Sequence, residues 1–211
     1  MLLSLVGMSG SGKSFWSEKL ARWGFRCMGC DDLIAARLAD ELGDAHGGIT
    51  KVGNWMGFPF EPHYGEREAR YLACEMEVMN QILAEFDANE DDPDENLVID
   101  TTGSVIYTGE AILTKLRKCS VIVHLTTPIE IQKTMLEAYR IKPRPLLWRD
   151  MFTREPGETN EQALARCYPV LLSSREKQYE TLAHLSISYN KHHGAGFGVA
   201  EFLRATGATV T

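Results

Sequence analysis

The sequence predicts an α/β fold: a parallel β-sheet covered by helices on both faces. Three observations predict it. Short apolar segments of strand length alternate with longer segments of helical periodicity along the chain. The apolar segments read as strands buried on both faces, as parallel sheets require. A glycine-rich loop directly follows the first of them, at the strand ends where such sheets bind ligands. At 211 residues the chain is most simply one domain, spanning 1–211.

Leu2 to Val6 form the first strand, and Trp16, Leu20 and Trp23 follow the loop at i, i+4 and i+7 of a helix. Gly24 breaks that helix, and Phe25 to Met28 give a second strand. Asp31 to Leu42 read as helix, with Leu33, Ala36 and an Ile34/Leu38 pair, and end at Gly43. Residues 44–64 carry Gly, Pro and aromatics and suggest short helices and loop. From Glu66 to Phe86, Leu72, Met76, Met79, Leu83 and Phe86 keep the helical period. Asp87 to Asn96 is an acidic run, read as a solvated loop. Leu97-Val98-Ile99 form the third strand, which runs into Asp100-Thr101-Thr102-Gly103. A helix over 109–117 leads to the strand Val121 to Leu125. Thr127-Pro128-Ile129-Glu130 has capping-box spacing with proline at N1 of the next helix. A stretch rich in Arg, Pro and Glu covers 140–160; a helix over 161–182, the strand Leu185 to Tyr189 and a short helix complete the chain. No internal repeat or low-complexity tract is present.

The apolar and charged fractions, 44% and 24%, are ordinary for a globular protein. The net charge of −7 argues against a nucleic-acid partner held by its phosphates. No segment approaches a membrane span, and the apolar N-terminus is too short for a signal peptide. Five scattered cysteines suggest reduced thiols and a cytoplasmic protein. Cys27 and Cys30 form a C-x-x-C without a second ligand pair, so buried thiols are favoured over a zinc or redox site.

The loop Gly7-Met8-Ser9-Gly10-Ser11-Gly12-Lys13-Ser14 is G-x-x-x-x-G-K-S in full. Glycines let backbone N–H groups curl round phosphate oxygens, Lys13 brings a mobile positive charge, and the Ser14 hydroxyl can ligate Mg²⁺. The helix that follows directs its positive end at the same anion. Strand, loop and helix occur in the required order; a flexible linker would leave Lys13 and both flanking apolar segments unexplained. The expected ligands are ATP and Mg²⁺.

The remaining motifs resemble those of the shikimate kinase family, small kinases that phosphorylate a hydroxyl of a carbocyclic acid. The resemblance covers nearly the whole chain. The family's D-x-D-x-x-I is similar to Gly29-Cys30-Asp31-Asp32-Leu33-Ile34, and its G-E-x-x-F-R to Gly65-Glu66-Arg67-Glu68-Ala69-Arg70. Its T-G-G-G turn corresponds to Thr101-Thr102-Gly103-Ser104, and its R-P-L-L is intact at Arg144-Pro145-Leu146-Leu147. Its R-x-P-L-Y-x-E-L-A is similar to Arg175 through Ala183. The resemblance implies a P-loop NTPase fold with strand order 2-3-1-4-5, substrate-binding helices over about 31–86 and a lid over about 141–160. It implies catalytic roles for Lys13, Asp31 and Arg144, and substrate contacts from Asp31, Arg70, Gly103 and Arg175. Gly7, Ser9, Gly10, Ser11, Gly12, Lys13, Ser14, Phe15 and Arg140 would contact the nucleotide. Arginine forks suit a carboxylate, and Asp31 suits the attacking hydroxyl. Taken singly, Arg70 also reads as a solvated surface charge, and Arg175 as a partner of Glu176 or Glu180.

The departures are specific. Gly29 stands at the place of a Mg²⁺-associated aspartate, Thr102 and Ser104 replace two glycines, Ala69 replaces a phenylalanine, and Lys177-Gln178 replace Pro-Leu. Trp55 to Tyr64 and 87–96 resemble insertions. Asp100, ending an apolar strand, is either a carboxylate near Mg²⁺, with Ser14 as the metal's ligand, or a cap of its own turn. The expected function is conversion of shikimate and ATP to shikimate 3-phosphate and ADP, a step of aromatic amino acid biosynthesis, by a monomer. The alternatives are a kinase for a related sugar acid or polyol, a nucleotide kinase, and a nucleotide-binding regulator that has lost transfer.

Overall fold

A computed structural model describes residues 1–43, 48–88 and 95–207. Five strands, β1 (Leu2–Val6), β2 (Arg26–Gly29), β3 (Leu97–Asp100), β4 (Val121–Leu125) and β5 (Leu185–Ile187), form one all-parallel sheet in the order β2-β3-β1-β4-β5. The connections carry α1 (Lys13–Arg22), α2 (Cys30–Arg37), α3 (Ala39–Leu42), α4 (Gly48–Met56), α5 (Tyr64–Ala88), α6 (Glu110–Cys119), α7 (Ile129–Ile141) and α8 (Asn160–Leu182). After β5 come α9 (Tyr189–His192) and α10 (Val199–Ala205). No described helix is long and apolar enough to cross a membrane.

Alternation along the strands divides the core. Leu3, Leu5, Val98, Val123 and Leu125 pack with Trp16 and Leu20 of α1 and Phe202 of α10. Val6, Ile99 and Ile122 look the other way, toward a larger cluster that includes Val78 and Ile82 of α5 and Leu171 of α8. Both faces of the central strands β1 and β3 are buried, which is why these two are nearly all apolar, whereas the edge strands β2 and β5 expose Arg26 and Ser186. The buried Ser4 hydroxyl is the exception in β1, and it donates to Ser120.

Several local expectations change. Trp23 caps α1 and is 55% exposed, because the helix stops one residue before it. The 31–42 helix is two helices broken at Leu38. Pro128 is the N-cap of α7 rather than N1, no side chain caps that end, and a capping box forms instead at Thr159 and Gln162 of α8. The strand expected over 185–189 ends at Ile187. The buried stripe of α5 is rotated from the expected one. Tyr71, Cys74, Glu75, Val78, Met79, Ile82 and Leu83 are inside, whereas Met76 is 39% exposed. Residues 44–47 and 89–94, parts of the expected loops, lie outside the described residues.

The stretch expected to be a lid is tied down at its centre. Leu147 and Trp148 are fully buried. The Tyr64 hydroxyl donates to the Leu146 carbonyl at 2.7 Å and accepts the Trp148 N–H at 2.8 Å. The Trp148 indole N–H reaches the Tyr139 hydroxyl, and the Glu68 carboxylate accepts the Arg149 N–H. One turn of α4 lies directly against the same stretch: a Cβ on Gly53 would stand 2.2 Å from the Pro143 carbonyl oxygen.

Candidate active site

The carboxyl ends of β1, β2 and β3 meet in register, Leu5 beside Asp100 and Asp100 beside Gly29. Between β1 and α1 runs the glycine-rich loop. Gly12 caps α1 at φ +99°, a left-handed turn that aims the first N–H groups of the helix outward. Gly7 is required for a different reason: a Cβ there would meet the Leu125 carbonyl oxygen at 2.7 Å and the Ser11 hydroxyl at 2.8 Å. The Ser11 hydroxyl is buried without a partner.

Lys13, read from the sequence as a mobile positive charge, is only 7% exposed. Its ammonium folds back to donate to the carbonyls of Gly7 and Met8, each at 2.9 Å, closing the loop on itself. Burial pulls its pKa below the usual lysine value, and the nearby carboxylates of Asp100 and Asp31 oppose that pull. Asp100 lines the same cavity as Lys13 and Ser14, and both pull its carboxyl down against the effect of burial, so Asp100 faces the loop. Gly29 of β2 is the cross-strand neighbour of Asp100, at the same level of the sheet.

A cavity of about 210 Å³ joins this loop to the start of α2. Its walls include Ser9, Gly10, Lys13, Ser14, Phe15, Asp31, Tyr71, Asp100, Thr102, Gly103 and Arg144. Asp31 sits in the first turn of α2, where the helix end favours its charge. Burial nevertheless lifts its carboxyl to about 6, against the attraction of Lys13. On the far side of Ser9, Gly10, Arg144 and Pro145 a more apolar compartment of about 320 Å³ is walled by Met135, Tyr139 and Tyr168.

Three expected residues lie elsewhere. Arg70 is on the outer face of α5, bonded to Glu41 at 2.6 Å, because the rotation of that helix turns Tyr71 inward in its place. Arg175 is 2% exposed beneath the Gly103 turn, where its two terminal nitrogens donate to the Gly103 and Leu147 carbonyls at 2.9 and 2.7 Å. It thus ties the turn to the backbone at Leu147 and does not line the cavity. Arg140 bonds Glu137 and the Glu161 carbonyl, away from both compartments.

Sequence reasoning missed Tyr71 and Glu75. Glu75 is 1% exposed, and its two oxygens accept the hydroxyl protons of Thr102 and Ser104, the latter at 2.6 Å. Burial raises its carboxyl to about 7. Thr102 and Ser104, which replace glycines, are therefore partners of a buried acid. The spacing Tyr71, Cys74, Val78, Ile82 was the available signal for that face of α5.

For a divalent cation the fit is selective. Among the described residues no cluster of three or more His, Cys, Asp or Glu is placed to hold a metal. One hydroxyl and one carboxylate, Ser14 and Asp100, match Mg²⁺, which keeps waters and takes its other oxygens from phosphates.

Two solved structures resemble this chain over nearly its whole length. The shikimate kinase of Acinetobacter baumannii, solved in complex with shikimate, aligns with a TM-score of 0.58 at 24% sequence identity, covering 97% of this chain and 88% of that one. The shikimate kinase of Bacteroides thetaiotaomicron aligns with a TM-score of 0.59 at 16% identity, covering 98% and 97%. The protein therefore has the shikimate kinase-like P-loop fold, with the expected strand order. No protein-family model and no curated protein matches the sequence.

Proposed function

We propose that the protein transfers the γ-phosphoryl group of ATP to a hydroxyl of a small metabolite. One observation carries the reading: a single cavity joins a closed phosphate loop, with Lys13 and the Ser14–Asp100 pair, to a carboxylate, Asp31, on the opposite wall. Phosphoryl transfer asks mainly for positioning and charge neutralisation. The loop N–H groups and the α1 end would hold the phosphates, Lys13 would offset the charge that grows on them, and Arg144 adds a second cation from the lid side. Mg²⁺, held through Ser14 and Asp100, would shield the phosphate oxygens. Asp31 orients the acceptor hydroxyl and takes its proton as the oxygen attacks.

Shikimate is the acceptor that the motifs implied, and it needs a carboxylate clamp. The two arginines assigned to that clamp, Arg70 and Arg175, are both engaged elsewhere.

Lys13→Met tests the reading, keeping most of the buried stem while deleting the charge. Loss of one such electrostatic stabiliser costs about 10²–10³ in kcat. A folded variant, checked by thermal melting, with wild-type ADP release would refute it.

A further inference from the structure

Building on the kinase reading, the structure also restricts which alcohols the site takes, through the direction of its hydrogen bonds. With Glu75 ionised, the Thr102 and Ser104 hydroxyls spend their protons on it. The Thr102 oxygen also accepts the Ser104 N–H at 3.0 Å and lies 3.1 Å from the Ser104 hydroxyl oxygen. Both hydroxyl protons are thus directed behind the wall that Thr102 helps to form, and Asp31 adds a carboxylate to the cavity. This wall asks its ligand for donors. Cations are the second constraint. Among the described residues lining the cavity they are Lys13 and Arg144, and both stand beside the phosphate loop. Lys13 is already bonded to two loop carbonyls, and ATP phosphates claim both charges. An acid bound here would place its carboxylate beside Asp31 and Asp100, with the one lining guanidinium, Arg144, taken by phosphate.

We propose that the phosphoryl acceptor carries no anionic group: it is an uncharged polyol or an amino alcohol, whose O–H and N–H groups donate to Asp31, Thr102 and Tyr71. Glu75 is a positioning residue for this selectivity, because it fixes where the hydroxyl protons point.

Matched pairs test the idea in coupled ADP-release assays: gluconate against glucitol, shikimate against its carboxyl-reduced alcohol, with an inositol and an aminocyclitol beside them. ATP-analogue binding is measured first by calorimetry. Failure to bind the analogue would sink the kinase reading itself. Given nucleotide binding, kcat/KM for the uncharged or ammonium-bearing member should exceed that of the acid at least tenfold. In Glu75→Gln the amide donates in place of accepting, which frees a hydroxyl proton for the cavity, so the alcohol-to-acid ratio should fall severalfold. An acid used as well as its matched alcohol, turnover of none of the panel, or a ratio unmoved by Glu75→Gln would overturn the proposal.

Discussion

Replacing Gly53 with alanine asks whether α4 positions Arg144. The added methyl would stand 2.2 Å from the Pro143 carbonyl oxygen, 2.7 Å from its carbon and 2.8 Å from the Arg144 Cα. All three are backbone atoms, so no side-chain rotation relieves the clash. The two segments must separate by about 1 Å to reach ordinary contact. Two effects on stability oppose each other. Alanine improves the helix by about 1 kcal/mol, and overpacking costs about 1–3 kcal/mol. The net loss is then at most about 2 kcal/mol, which lowers Tm by roughly 4–8 °C for a chain of this size. The kinetic effect is larger in proportion. A shift of about 1 Å in Arg144 relative to the phosphates should lower kcat by about 10²-fold. The assay is ADP release with KM for both substrates, alongside thermal melts. Gly65→Ala is the control, since a Cβ on Gly65 meets nothing within 4 Å, and it should leave kcat alone. A Gly53→Ala enzyme with wild-type kcat would refute the reasoning, whatever its Tm.

Asp100→Asn keeps a group able to bond Ser14 but removes the charge, and should raise the Mg²⁺ concentration needed for half-maximal activity by about 10–100-fold. Unaltered Mg²⁺ dependence would reduce Asp100 to a turn cap. With the Asp31 carboxyl lifted to about 6, kcat/KM should climb as pH rises through 6 and the base form appears; the same limb surviving in Asp31→Asn would assign it to another group. Glu75 is lifted from 4.5 to about 7, so across that window the folded state holds a proton that the unfolded chain releases. Its contribution to stability is full below pH 4.5 and is lost as pH rises through 7, a decline of a few kcal/mol that Glu75→Gln should remove. Urea unfolding of both proteins at pH 5 and pH 8 decides it: an equal difference at the two pH values would mean that Glu75 does not titrate there.

Within the site, legibility followed the range of the interactions. The phosphate loop was readable because its eight residues, Gly7 to Ser14, set their own backbone shape and are followed at once by the helix they need. The orientation of Asp100 toward Ser14 was also within reach, since β3 lies beside β1 and both end at the same level. The substrate arginines were not. One residue along a helix is a rotation of about 100°, enough to exchange Arg70 for Tyr71 at the cavity. Apolar periodicity left that rotation undecided because Leu72 and Met76 offered a second plausible stripe, and packing against α2 and α4 chose between the two.

The sequence by itself therefore determined the alternation of strands and helices, the parallel sheet and the phosphate loop. Each is written in residues adjacent in the chain, whose periodicity or steric freedom acts locally. Tertiary structure alone decided that Glu75 collects the protons of Thr102 and Ser104 from 27 and 29 residues away, and that Arg175 spans 72 residues to the Gly103 carbonyl. It also decided that Gly53 lets the backbone of Pro143 and Arg144 lie against α4. A buried polar group must find partners wherever packing brings them, and which partners arrive depends on how every intervening element is rotated and placed.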